Sequence, residues 1–164
     1  MQPPAPTLSA APFHTVFSPC GRYRHVWFLR WAEGPCVMFI GLNPSRANGH
    51  RTDATVKRCI AYAKRWGYGA VRIVNLFAWV ATAPAAMMRA ANPVGPGNDR
   101  HLEQDAAEAD LIVAVWGVHG SHLGRDRAIK ARFRGRLHAL KVNQDGSPAH
   151  PLYLRTDLRP IPFA

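Results

Sequence analysis

Cys36-Val37-Met38-Phe39-Ile40-Gly41-Leu42-Asn43-Pro44-Ser45 is the stretch on which the fold of this chain turns. The apolar run reads as a short strand buried in a sheet, and it stops at Gly-x-Asn-Pro-Ser. Gly41 allows close backbone approach, Pro44 stiffens the exit, and Asn43 carries one polar amide beyond the sheet edge. In an open α/β sheet that edge is where ligands bind.

On the N-terminal side, Phe13 to Phe17 and Tyr23 to Trp31 are joined by a Pro19-Cys20-Gly21 turn. The second segment holds Trp27, Phe28, Leu29 and Trp31 between basic residues, and the pair predicts a β-hairpin packed on the edge of the domain. On the other side, Thr52 or Asp53 can cap a helix with apolar positions Val56, Cys59, Ile60, Ala63 and Trp66, which Gly67 stops. Val71 to Phe77 is the next strand, followed by a connection rich in Pro and Gly with one helical turn at Ala85 to Ala91. Asn98 can cap a helix to about Ala107, with Asp99 and Glu103 in its early turns. Leu111 to Trp116 is a third strand, Gly124 to Arg136 a basic helix, Leu137 to Val142 a fourth strand, and Asp145-Gly146 a turn.

Strands separated by helical segments imply a parallel sheet with helices on its faces. The expected architecture is a three-layer α/β/α sandwich with a central, mainly parallel four-stranded sheet and an N-terminal hairpin. Residues 13–164 form one domain in this reading, and the Pro/Ala-rich residues 1–12 a disordered tail without the features of a signal peptide. The strand ends then bring Asn43, Asn75, Gly117 to His119, and His150 to one edge.

Composition sets the outer bounds. At 164 residues and 48% hydrophobic content the chain can bury a real core, and no run is long enough to span a bilayer. Its 21 Lys and Arg against 10 Asp and Glu give a formal charge of +11. That excess favours polyanions, nucleic acid first and acidic lipid second, or else serves as a solvated surface. Cys20, Cys36 and Cys59 are odd in number and lack metal-type spacing, with Cys36 and Cys59 read as buried thiols. A reducing cytoplasm, with no disulfide, zinc or iron–sulfur cluster, is the expectation. No phosphate-binding loop or dinucleotide fingerprint occurs, and Ser45 lacks the Gly-x-Ser-x-Gly setting of a hydrolase nucleophile.

Three short motifs carry a resemblance. Gly41-Leu42-Asn43-Pro44-Ser45 resembles the first motif of the uracil-DNA glycosylase superfamily, nearest to the Gly-Ile-Asn-Pro-Gly of its mismatch-specific branch. His150-Pro151-Leu152-Tyr153-Leu154 resembles the second motif, and Val74-Asn75 at a strand end resembles the asparagine that reads the base. The pattern runs from about Cys36 to Leu154 and is also similar to a bacterial family known only as a domain of unknown function. The resemblance implies a uracil-DNA glycosylase-like fold and a monofunctional hydrolase. Such an enzyme removes uracil, with other deaminated bases as further candidates, and leaves an abasic site. It implies no metal or redox cofactor, a cytoplasmic monomer, and single- or double-stranded DNA as partner.

By the same resemblance Asn43 positions water, Asn75 reads the base beside Leu42 and Phe77, and His150 stabilises the departing base. Ser45, Arg46, His119, Leu152, Leu154 and Arg155 are the implied DNA contacts. The chain departs from the superfamily where Ser45 replaces a common glycine and no phenylalanine follows soon after. Arg46, His50 or Arg51, or else Phe77 or Trp79, must then wall the base.

The chemistry of the residues runs parallel. Breaking a deoxyuridine glycosidic bond places positive charge on the sugar and negative charge on the base, and needs no covalent nucleophile. It needs a flipped-out base, donors toward its carbonyls, a held water and a basic surface. The Asn75 amide matches O4 and N3–H of uracil; it can equally cap a strand end. His150 can donate to O2 as a neutral imidazole, or be a surface histidine. Leu152 or Leu154 can fill the vacated stack or belong to the core. Asn43 can hold a water but not deprotonate it, and Asp53 can supply that carboxylate or cap the helix. The turn Trp116-Gly117-Val118-His119-Gly120 can grip a phosphate with His119 or His122. Arg125, Arg127, Lys130, Arg132, Arg134 and Arg136 can form a phosphate-facing stripe or a solvated helix face. A non-catalytic protein for damaged or abasic DNA, or an enzyme acting on free modified nucleotides, are the alternatives.

Overall fold

The computed structural model describes residues 13–46 and 53–164. The tail 1–12, and with it Thr52, His50 and Arg51, lies outside the described residues. Strands β1 (Phe13–Phe17) and β2 (Arg24–Arg30) form the antiparallel hairpin, and β3 is Cys36–Gly41. After helix α1 (Ala54–Arg65) come β4 (Ala70–Asn75), the short α2 (Pro84–Arg89) and α3 (Asn98–Ala107). Strand β5 (Leu111–Ala114), a 3₁₀ stretch (Val118–Gly124), α4 (Arg125–Arg132), β6 (Leu137–Ala139) and β7 (Ile161–Pro162) complete the order.

One sheet contains all seven strands, in the order β1-β2-β4-β3-β5-β6-β7. The four parallel strands β4, β3, β5 and β6 are those expected, but the sheet is seven-stranded rather than four-stranded. The hairpin sits at one edge, as expected, and extends the sheet there. Its β2 pairs directly with β4, Trp27 opposite Ile73, and β7 pairs with β6 at the far side. The sequence signal for β7 is weak because it is two residues long and contains a proline.

Alternation along β3 shows why the run is apolar throughout. Val37 and Phe39 pack with Val56, Cys59, Tyr62 and Ala63 of α1. Met38 and Ile40 face the other way, with Leu102 and Ala106 of α3 and Ile129 of α4. Both faces are covered, so side chains at period two are all buried. Each fully buried large apolar side chain contributes roughly 1.5–3 kcal/mol.

Element ends explain the remaining differences. Strand β4 stops at Asn75, and Leu76 and Phe77 are buried in the loop after it, their N–H groups donating to the carbonyls of Gly41 and Leu42. β5 and β6 likewise end before Trp116 and Val142. Asp53 caps α1, its Oδ1 accepting from the Val56 N–H at 2.8 Å, and Gly67 takes φ 86° after its last turn. Gly97, not Asn98, is the cap residue of α3. The Asn98 amide is buried, donating to the carbonyls of Asn75 and Leu76 and lying 3.1 Å from His25 Nδ1. The predicted phosphate-facing stripe on α4 is broken up. Arg125 is buried and donates to the Leu76 carbonyl and Asp99, Arg132 pairs with Asp99 and Glu103, and Arg136 donates to the Ala106 carbonyl. Cys36 and Cys59 are buried as expected. Among the described residues no helix is long and apolar enough to cross a membrane.

The connections position the site. From β3 the chain passes over one face through α1 to β4, then over the other face through α3 to β5 on the opposite side of β3. The direction of winding reverses at β3, and the crevice of an open α/β sheet opens outside the carboxyl end of such a strand. That end is Gly41-Leu42-Asn43.

Candidate functional site

A cleft of about 400 Å³ opens there. The exits of β3 and β4, the first turn of α1, the turn after β5 and the C-terminal segment build it. Of the residues singled out in the sequence, Leu42, Asn43, Ser45, Asp53, Asn75, His119, His150 and Leu152 all line it.

Asn75 stands out by what it lacks. It is 5% exposed, yet its side chain makes no hydrogen bond among the described residues. Its amide atoms open on the cleft, where water or a ligand can pair with them. Gly41 makes the space for it, because a Cβ there would sit 2.7 Å from Asn75 Oδ1. The close approach seen in the sequence as a glycine is therefore toward this amide.

Asn43 is differently employed. Its Nδ2 donates to the carbonyls of Ala81 (2.8 Å) and Pro44 (3.1 Å), stapling the β3 exit to the loop beyond β4. Both N–H groups are thus committed inside the protein, and Oδ1 is the part of the amide left to accept from a ligand or water. Ser45 donates to Asp53 Oδ2 at 2.8 Å, so this hydroxyl tethers the helix cap. Asp53 is the single carboxylate in the cleft lining, with one oxygen on Val56 and the other on Ser45.

His150 is carried by a strand-like segment that leaves β6. Ala149 N–H donates to Lys141 and Gly117 N–H to Pro148. Past it, α1 holds the chain down: Arg58 donates to the Leu154 carbonyl, Tyr62 to Arg155 and Trp66 to Leu158. The Leu152 N–H points at His150 Nδ1 (3.3 Å), which leaves the proton of the neutral ring on Nε2. His150 is an exposed residue at the rim of the cleft, and the partial covering of its ring lowers its pKa from the ordinary value, with the Asp53 charge opposing. The imidazole is thus a neutral donor at pH 7.

Other predicted residues lie elsewhere. Phe77 is fully buried in the core beneath the sheet, its ring 5.5 Å from His122, and does not line the cleft. Leu154 packs against the α1 core, so of the two leucines only Leu152 lies at the cleft. Arg155 is exposed and paired with Asp157, and Arg46 is exposed outside the lining. Trp79 packs edge-on against Tyr23.

Two residues were missed. Arg24, at the head of β2, lines the cleft although only 4% exposed. The sequence offers it as one of several basic residues flanking an aromatic strand, and only the pairing of β2 with β4 places it at the carboxyl edge. Tyr153, between the two leucines, is 98% exposed and holds φ 69°. A non-glycine residue with positive φ is uncommon and here marks a turn. Trp116 forms part of the wall, and Gly120 is needed beside it, since a Cβ there would meet the indole at 2.2 Å.

No curated protein and no solved structure matches the chain. A protein family of unknown function does, over residues 24–152, from Arg24 at the cleft floor to Leu152 at its rim. The chain belongs to that family, DUF1643.

Proposed function

We propose that the protein is a DNA glycosylase that hydrolyses the bond between uracil and deoxyribose and leaves an abasic site. The observation that carries this reading is the Asn75 amide, buried and without a protein partner at the carboxyl end of β4. One donor and one acceptor presented in a cleft are what O4 and N3–H of uracil require, and such a polar group discriminates strongly against a base that leaves it unpaired.

In this reading the C1′–N1 bond breaks with its electron pair going to the base. His150 donates from Nε2 to O2 as charge gathers there. Water adds to C1′, held by Asn43 Oδ1, and its proton passes to solvent, since both Asp53 oxygens are engaged by Val56 and Ser45. Preorganised donors aimed at developing charge are commonly the largest catalytic contribution. The net charge of +11 favours a nucleic-acid substrate over a neutral one. Tyr153 is the side chain exposed to reach into a duplex and replace the stacking lost by base flipping.

The test uses single- and double-stranded oligonucleotides carrying uracil, hypoxanthine or xanthine, treated with alkali after incubation. Strand breaks at the modified position are expected with wild-type protein and are lost with Asn75→Ala. Intact strands with retained gel-shift binding replace the proposal with a non-catalytic binding role. Activity unchanged in both Asn75→Ala and His150→Ala refutes the site assignment.

A further inference from the structure

Among the described residues Arg24 and Arg125 are buried and Arg72 is largely so, and the last two have ionic partners. Arg125 is satisfied by the Leu76 carbonyl and Asp99, and Arg72 pairs with Asp105 at 2.6 Å, although its Nε has no partner among the described residues. Arg24 is as buried as either, yet its guanidinium makes no ion pair and no hydrogen bond among the described residues. A carboxylate outside those residues is not the answer, because none exists. The ten Asp and Glu of the chain all fall within the described residues, and residues 1–12 and 47–52 contain neither type. Burial of the charge disfavours it, and Asp53 opposes that effect only from a distance, its own oxygens being taken by Val56 and Ser45.

A guanidinium does not neutralise itself by losing its proton, and this one, with its nitrogens reaching the cleft, takes its acceptors from there, either water or an anion. Arg24 faces a cleft whose walls add the Asn75 amide and the hydroxyls of Thr55 and Thr82. Its planar fork matches the geometry of an oxyanion. We infer that the cleft floor is an oxyanion subsite anchored by Arg24, and that the ligand carries an anionic oxygen into it. Two sources share this chemistry: the phosphate of a nucleotide, and a pyrimidine bearing the negative charge of a departing base. The inference stands whether or not the protein cleaves DNA.

Thermal unfolding in chloride buffer, repeated with each probe in turn, tests it. The probes are inorganic phosphate, dUMP, 5-nitrouracil as a pyrimidine already anionic near neutral pH, and uncharged uracil and deoxyuridine. At least one anion is expected to raise the Tm of the wild type by about 7 °C at a hundredfold excess over its Kd. That response should disappear in Arg24→Met, with Arg24→Gln as the second variant should the first fail to fold. Phosphate and dUMP acting without 5-nitrouracil identify the phosphate source, and the reverse identifies the pyrimidine. If no anion shifts the wild type, or if an anion shifts wild type and variants alike, the subsite does not exist. Uracil-DNA cleavage is measured separately, so loss of that activity and loss of anion binding are distinguishable.

Discussion

Replacing Arg24 by methionine should make this protein more stable, which is unusual for a 4%-exposed side chain. Taking an ion out of water costs several kcal/mol even after the protein relaxes. Part of that cost is already relieved in Arg24 by access to the cleft and by the field of Asp53. Methionine keeps an unbranched stem of similar reach and leaves no polar atom unsatisfied. The remaining penalty, about 1–3 kcal/mol, becomes the gain in Arg24→Met. For a chain of this length that corresponds to a rise in Tm of about 3–8 °C. Equilibrium unfolding in urea, in phosphate-free buffer, measures it, with an unchanged m value showing that the denatured state is not the cause. Arg125→Met is the internal control. It strips the Leu76 carbonyl and Asp99 of their donor and should lose about 2–4 kcal/mol. If Arg24→Met is instead less stable than wild type by more than about 1 kcal/mol, Arg24 is a structural arginine like Arg125 and the reasoning fails.

Gly41→Ala should displace the Asn75 amide, since the new Cβ would lie 2.7 Å from Oδ1. A fall in uracil-DNA cleavage of about tenfold or more, with the fold intact by circular dichroism, is expected; unchanged kinetics would mean that the position of the amide does not matter. The acid limb of the pH–rate profile should have its midpoint below the ordinary histidine value of about 6.5. The partial covering of its ring disfavours the charged His150, so the neutral donor persists as the pH falls, and a midpoint at or above that value contradicts the assignment. The same depressed value makes any stabilisation from the neutral ring complete above about pH 6.5 and lost as pH falls through the folded pKa. Tyr153→Ala should slow cleavage of double-stranded substrate about tenfold while sparing single strands, because only the duplex must be unstacked. Equal loss on both would assign Tyr153 a role other than stacking.

Much of the parallel sheet was legible because its strands are buried on both faces. Val37 to Ile40 and Leu111 to Ala114 leave no polar position to blur the pattern, and Asp53 and Gly67 bracket α1 with unambiguous chemistry. The convergence of Asn43, Asn75 and His150 followed from parallel strands sharing one edge. What stayed hidden depended on partners distant in the chain. Nothing in Tyr23-Arg24-His25 reveals that β2 lies against β4, because hairpin residues read alike whether the hairpin caps an edge or extends a sheet. Asn98 looked like a cap because asparagine before an acidic residue usually is one, but the preceding Gly97 takes φ 74° and fills that place. The basic run on α4 looked solvated or DNA-facing, since charge patterning cannot show that Asp99, Glu103 and two main-chain carbonyls lie across from it.

The charges in the cleft divide into two kinds, and that division shapes what Arg24 can do kinetically. His150 supplies a hydrogen bond without charge, and Asp53 is occupied as cap and tether. Arg24 is therefore the permanent charge set deepest in the lining. If the ligand brings a phosphate, its charge is present from first binding onward, and Arg24 stabilises ground and transition states equally. Arg24→Met then raises KM and leaves kcat near its original value. If the anion is the departing pyrimidine, the charge exists only as the glycosidic bond breaks. Arg24→Met then lowers kcat, and the deficit shrinks for 5-fluorouracil, whose electron-withdrawing substituent makes it a better leaving group. An arginine left without a carboxylate in a chain this basic is intelligible in either case. The split between KM and kcat decides whether it recognises the substrate or accelerates the reaction.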